Sequence, residues 1–174
     1  MPNLLPLDET VLHQSPWTRW VSRPWGNEAL PYYCLVLPDY VTMVPRLPDG
    51  RYLMVEQYRP AVRQITLEFP SGLCEKGEQA QQTALRELRE ETGWQALETK
   101  SLGVFHTDTG RLDNHIHYFY VNCDKPVPNW QPENGIKLLL MTCAEIESAI
   151  DQHRIFSMHM TAWFLAQRSF RTGI

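Results

Sequence analysis

Apolar and polar positions along the chain fall into short blocks that read as strands, with one longer helical block among them. Tyr40–Val44 and Tyr52–Gln57 are strand-like runs, and the LPDG segment Leu47–Gly50 between them predicts a hairpin turn. Ile65–Phe69 is a further strand, ended by Pro70. From about Gln79 to Thr92 the spacing becomes helical. Ala80, Ala84, Leu85 and Leu88 form a core-facing stripe opposite Glu87, Glu90 and Glu91, and Gly93 follows as a stop. Strand-like runs return near Leu102–Phe105, Ile116–Val121 and Ile136–Met141, the last two separated by a proline-rich loop around Pro126–Pro132. Helices are expected near Ala144–Gln152 and Ser157–Arg168. Mixed strands with a central helix and C-terminal helices predict a single α/β sandwich.

A chain of 174 residues suits one domain with a real core, and 43% hydrophobic with 11% aromatic residues excludes a disordered chain. The net charge of −4 and the lack of any Lys/Arg run argue against broad nucleic-acid or membrane binding. No apolar stretch approaches a membrane span, and the N-terminal MPNLLPLDETV has no signal-peptide pattern, so a cytoplasmic location is expected. Cys34, Cys74, Cys123 and Cys143 are scattered without a CxxC pair, which predicts reduced thiols. Residues 1–31 carry five of the 13 prolines and three of the six tryptophans. This predicts an N-terminal extension over 1–38, held by aromatic packing, ahead of a main domain over 39–174.

The densest chemistry lies between Gly72 and Trp94. Glu87, Glu90 and Glu91 fall at i, i+3 and i+4, crowding three carboxylates onto one helix face. A cation relieves that repulsion, and carboxylates that leave water positions open suit Mg²⁺ or Mn²⁺. An amphipathic helix with a solvated acidic face is the plainer reading of the same spacing.

The whole run decides between them. Gly72 is followed after five residues by Glu78, then after seven by Arg86-Glu87-Leu88, Glu90-Glu91, Gly93 and Trp94. It resembles the Nudix box at every constrained position. The resemblance implies a Nudix-type α/β/α sandwich with a mixed β-sheet, and a Mg²⁺-dependent hydrolase of diphosphates, with Mn²⁺ as a possible substitute. It implies Glu87, Glu90 and Glu91 as metal ligands with the Ser71 carbonyl, Glu90 and Glu91 being catalytic. Gly72, Glu78 and Arg86 would be structural, the last two bracing loop against helix.

The stretch before the box, VEQYRPAVRQITLEFPSG (Val55–Gly72), resembles the ADP-ribose pyrophosphatase and nucleoside-diphosphate-sugar hydrolase subgroup in Gln57-Tyr58-Arg59 and in Glu68-Phe69-Pro70-Ser71-Gly72. That implies Arg59 as a substrate contact, with Glu68 beside the site. In this subgroup N-terminal strands swap across a homodimer and aromatics hold the nucleobase, which nominates Trp17, Trp20, Trp25 and Tyr32. A catalytic base often lies in a loop before the last strand; Glu133 is the only acid in WQPENGIKLLLMT (Trp130–Thr142).

One position departs from the pattern. A proline is expected before Gly110, and Thr109 stands there. That widens the substrate range beyond ADP-ribose to other nucleotide sugars. Asp108, Arg111, Asp113 and Asn114 offer polar groups that could read a sugar. His115 and His117 share a strand face but lack a third ligand at metal spacing. The expected partner is a small nucleotide. A Nudix pyrophosphatase of dinucleoside polyphosphates or modified nucleotides, and a non-catalytic nucleotide-sugar sensor, stand as alternatives.

Overall fold

The computed structural model describes residues 8–26 and 28–172. Residues 1–7, the start of the segment tested above for a signal peptide, lie outside the described residues.

Three N-terminal strands, β1 (Thr10–Gln14), β2 (Arg19–Arg23) and β3 (Tyr32–Val36), form an antiparallel meander. The main sheet begins with β4 (Tyr40–Arg46), β5 (Tyr52–Arg59), β6 (Gln64–Glu68) and β7 (Ser71–Leu73). Helix α1 (Ala80–Thr92) follows, then β8 (Trp94–His106), the short β9 (Leu112–Asp113), β10 (His115–Pro126) and β11 (Ile136–Met141). Helices α2 (Cys143–Asp151) and α3 (Ser157–Thr172) complete the chain. The main sheet runs β11-β5-β4-β10-β8, with β6 paired to β5 and β7 to β4; β10 and β4 are parallel, so the sheet is mixed. β9 pairs in parallel with β3 and ties the N-terminal sheet to the main domain.

Both faces of the central strands are buried, which is why they read as nearly continuous apolar runs. Side chains alternate between two cores. Val44, Tyr52, Met54, Ile116, Tyr118 and Tyr120 face α2 and α3. Val41, Met43, Leu53, Phe119, Val121 and Cys123 face α1. Trp163 of α3 anchors the first core, edge-on to Tyr52 at 4.9 Å and stacked on Phe69 at 6.1 Å. Burying a large side chain of this kind contributes about 1.5–3 kcal/mol.

Several elements differ from the sequence expectation. β8 starts at Trp94, directly after Gly93, and runs 13 residues, bulged against β10. Alternating polar residues such as Glu98 and Lys100 hide its first half from an apolar count. In α1, Leu85 is 40% exposed, while Thr83, Ala84, Leu88 and Glu91 are buried. Ala84, Leu88 and Glu91 are i, i+4 and i+7, so the stripe includes a carboxylate and leaves Leu85 on the solvent side. All four cysteines are free thiols. Among the described residues no helix is long and apolar enough to cross a membrane.

Candidate active site

The site is assembled where β7 meets α1. Met43 N–H bonds the Pro70 carbonyl and Cys74 N–H bonds the Asp39 carbonyl. Bonded and unbonded pairs alternate along an antiparallel ladder, so Ser71 turns its peptide groups away from β4. Its N–H meets Glu91 Oε2 at 2.9 Å. The Ser71 carbonyl faces the same side, as a metal ligand must.

Gly72 is glycine for a spatial reason. A Cβ there would lie 2.0 Å from Glu87 Oε1. Arg86 braces the loop, reaching Glu78 with Nε and Nη2, both at 3.0 Å, and the Leu73 carbonyl at 3.3 Å. Thr83 Oγ1 donates to Glu78 at 2.8 Å. The guanidinium beside Glu78 holds its carboxyl down at about 2. The ion pair thus joins the loop to the helix. The Nη1 of Arg86 also reaches Glu87 at 2.8 Å and Glu90 at 3.0 Å.

Glu91 is only 7% exposed. Burial pushes its carboxyl up to about 8, with the charges of Glu87 and Glu68 adding to the rise against the Ser71 N–H. Burial also raises Glu87, and Glu90 and Glu133 contribute to that shift. Glu133 therefore stands close enough to be felt at the box. Among the described residues, no three His, Cys, Asp or Glu side chains are gathered tightly enough to hold a metal as they stand. One guanidinium is shared between Glu87 and Glu90, while among the described residues Glu91 forms no ion pair and feels only the more distant charge of Arg59. Hard oxygen donors with excess negative charge fit a divalent ion once Glu87 and Glu90 turn from Arg86.

Beside the box lies a second charged group. Glu68 is buried and accepts from Arg59 Nε at 2.8 Å and Nη2 at 2.6 Å, from Thr66 Oγ1 at 2.5 Å and from Gln57 Nε2 at 3.3 Å. His159 Nε2 lies 3.4 Å from Glu68 Oε2. Burial opposes the Glu68 charge, but the bonds from Arg59, His159 and Thr66 outweigh it and hold the carboxyl far below its ordinary range. Arg59 spends its bidentate edge, Nε and Nη2, on Glu68, so Nη1 takes no part in that pair. It lines a cavity of about 330 Å³ with Tyr40, Val62, Glu68, Phe156 and His159. Burial raises the Tyr40 phenol to about 12, with Ser71 opposing the rise and the charge of Glu91 adding to it, so this cavity adjoins the box.

Neither Tyr40 nor His159 is among the site residues that the sequence nominates. His159 is 2% exposed, and its Nδ1 accepts the Phe69 N–H at 3.3 Å. The signal was present: His159, Ala162, Trp163 and Ala166 follow i, i+3, i+4, i+7, one polar residue in an apolar stripe.

The loop nominated from the sequence as a sugar contact is largely occupied by bonds to the chain itself. Asp108 Oδ1 accepts the Gly110 N–H at 2.7 Å, an Asx turn that shapes the loop where Thr109 replaces proline. Asp113 pairs with Arg23 at 2.5 Å, and Asn114 Nδ2 bonds the Pro38 carbonyl at 3.0 Å. Arg111 instead lies over the Tyr32 ring at 4.9 Å, and Trp25 packs against Tyr32 at 5.7 Å. Trp17 is 66% exposed in the β1–β2 turn, so the tryptophan at Tyr32 is Trp25 rather than Trp17. Within one chain, no hydrogen bond among the described residues links this Tyr32 group to the box. His115 and His117 each face Asp39 at 3.4 Å.

Residues 36–164 match the model of the NUDIX domain. The chain is 38% identical over 82 residues to the ADP-ribose pyrophosphatase of Bacillus subtilis, covering 47% of this chain and 44% of that one. It is 31% identical over 122 residues to the methanol dehydrogenase activator of Bacillus methanolicus, covering 68% of this chain and 66% of that protein. It thus spans between under half and just under two thirds of these relatives. A crystal structure of an ADP compounds hydrolase superposes with a TM-score of 0.77 over 97% of this chain and 95% of its own, at 16% identity, a likeness of fold. With the box geometry described above and a family match over most of its length, the chain belongs to the NUDIX domain family.

Proposed function

We propose that the protein hydrolyses the pyrophosphate bond of a nucleoside diphosphate sugar, ADP-ribose or another, giving a nucleoside monophosphate and a sugar phosphate. The observation that carries this reading is the buried Glu91, bonded to the Ser71 N–H beside Glu87 and Glu90 with too little positive charge to balance them. Nudix hydrolases generally use divalent metal ions, and the donors here favour Mg²⁺, with Mn²⁺ as substitute. When bound, such an ion neutralises the diphosphate and lowers the pKa of a water.

The chain's own residues do the rest. Glu87, Glu90, Glu91 and the Ser71 carbonyl would hold the ion, with Arg86 keeping Glu78 and giving up its Nη1 contacts. Glu133 takes the proton of the attacking water. Arg59, fixed in direction by Glu68, offers Nη1 to a phosphate oxygen. Tyr32, Arg111 and Trp25 stack on the base. Trp17, exposed in the β1–β2 turn, stands with them as a candidate contact for the base. Residues 1–38 serve as the dimer-forming unit, which brings a second copy's aromatics toward the site.

The similarity to an ADP-ribose pyrophosphatase and the Arg59–Glu68 pair favour a nucleotide sugar over other diphosphates. The test is to incubate the protein with Mg²⁺ and ADP-ribose, ADP-glucose, UDP-glucose, GDP-mannose, diadenosine polyphosphates and 8-oxo-dGTP, identifying products by mass. A nucleoside monophosphate with a sugar phosphate is the expected result. Turnover of polyphosphates or the oxidised nucleotide alone, or binding without turnover, would replace this reading.

A further inference from the structure

The loop between β10 and β11 is fastened to the box helix by one side chain. Trp130 Nε1 donates to the Glu90 carbonyl at 3.0 Å. That carbonyl lies in the last turn of α1, where backbone acceptors have no partner within the helix. The indole also lies flat against Gly93, where a Cβ would sit 2.4 Å from Trp130 Cδ2. Gly93 has φ +69°, and its own carbonyl accepts the Val127 N–H. At the far end, the Ile136 N–H bonds the Glu133 carbonyl at 3.1 Å and Ile136 pairs with Gln57 of β5. The segment 127–135 is thus held at both ends, and Glu133 lies three residues beyond Trp130.

We propose that Trp130 is a positioning residue, its indole pinning the segment that carries Glu133 to the last turn of the helix that carries Glu90 and Glu91. This rests on the hydrolase reading above for its consequence in turnover, and on geometry alone for the anchor. Gly93 then has two reasons to be glycine: it ends the helix in the left-handed region, and it leaves a flat seat for the ring. Without the ring, the segment keeps its ends but loses its fixed path, and a base displaced by an ångström acts poorly.

The test uses the full chain, Mg²⁺ and an NDP-sugar that the wild type cleaves. Trp130→Ala should lower kcat about 10- to 100-fold with KM changed less than about threefold. Amide exchange should rise across 127–135 and stay unchanged in β4 and β10. Trp130→Phe keeps a ring over Gly93 without the N–H, should fall between, and carries the same comparison if the alanine protein does not fold. The deciding readout is coupling. In a Glu133→Gln background, Trp130→Ala should cost little more, since both changes act through one group. Costs that multiply, or unchanged exchange across 127–135, overturn the proposal. If the wild type cleaves no NDP-sugar, the hydrolase reading falls, and the exchange measurement still decides the anchor.

Discussion

The space that a side chain on Gly72 would fill is taken by Glu87, whose Oε1 would be 2.0 Å from a Cβ. Gly72→Ala should therefore displace that carboxylate. Overpacking of this kind costs about 1–3 kcal/mol, and the larger effect should be on metal affinity. The check is the Tm gain produced by Mg²⁺, expected to shrink well below that of the wild type. Glu91 has a different signature. Its folded pKa, about 8, is raised above the ordinary carboxylate range, so its contribution to stability is fully present below the unfolded value and is lost as pH rises through about 8. Glu68 is shifted the other way and loses its contribution only as pH falls into the acid range. Between pH 5 and pH 8.5 the metal-free protein should thus weaken, by about a few kcal/mol. Glu91→Gln should flatten that slope in urea unfolding at a series of pH values; an equally steep slope would assign the loss to another group. The box carboxylates were legible because residue type and spacing carry them. Their inequality was not, since only packing against Ser71 separates buried Glu91 from exposed Glu90.

At the scale of elements, the site depends on how β6, β7 and α3 meet. His159 links them, accepting the Phe69 N–H while facing Glu68. His159→Ala should leave that N–H unpaired and open a cavity under α3, costing about 2–4 kcal/mol in urea unfolding. A cost within about 0.5 kcal/mol, as for a surface change, would show that the contact carries no load. Element type followed from the short apolar runs of β4, β5 and β11 and from the helical stripe of α1. Two features escaped it. The first half of β8 alternates polar residues at a sheet edge, and the faces of α1 cannot be told apart when a carboxylate shares the buried stripe. Which loop residues bond to the chain itself, as Asp113 and Asn114 do, follows from the tertiary approach of Arg23 and Pro38 and has no local signal.

Across the whole molecule, the proposed function divides the nucleotide site between the N-terminal sheet and the box domain. Trp20, Trp25, Leu30 and Tyr33 leave much apolar surface exposed on the N-terminal sheet, more than a solitary surface needs. The proposed homodimer would cover it, so sedimentation equilibrium should give twice the chain mass of 20.3 kDa, and a monomer at micromolar concentration would remove that part of the reading. The fold and the box were legible in the sequence; the proposed cooperation of the two sheets through a second copy has no local pattern to announce it. The central claim is a metal-dependent hydrolysis carried by the α1 carboxylates. Its most direct test is the initial rate of ADP-ribose cleavage against Mg²⁺ concentration for the wild type and for Glu91→Gln, with Tm measured alongside. A saturating wild-type curve and a Glu91→Gln rate lower by at least about a hundredfold at saturating Mg²⁺, with the fold intact, is the expected result. Near-normal turnover by Glu91→Gln would contradict it.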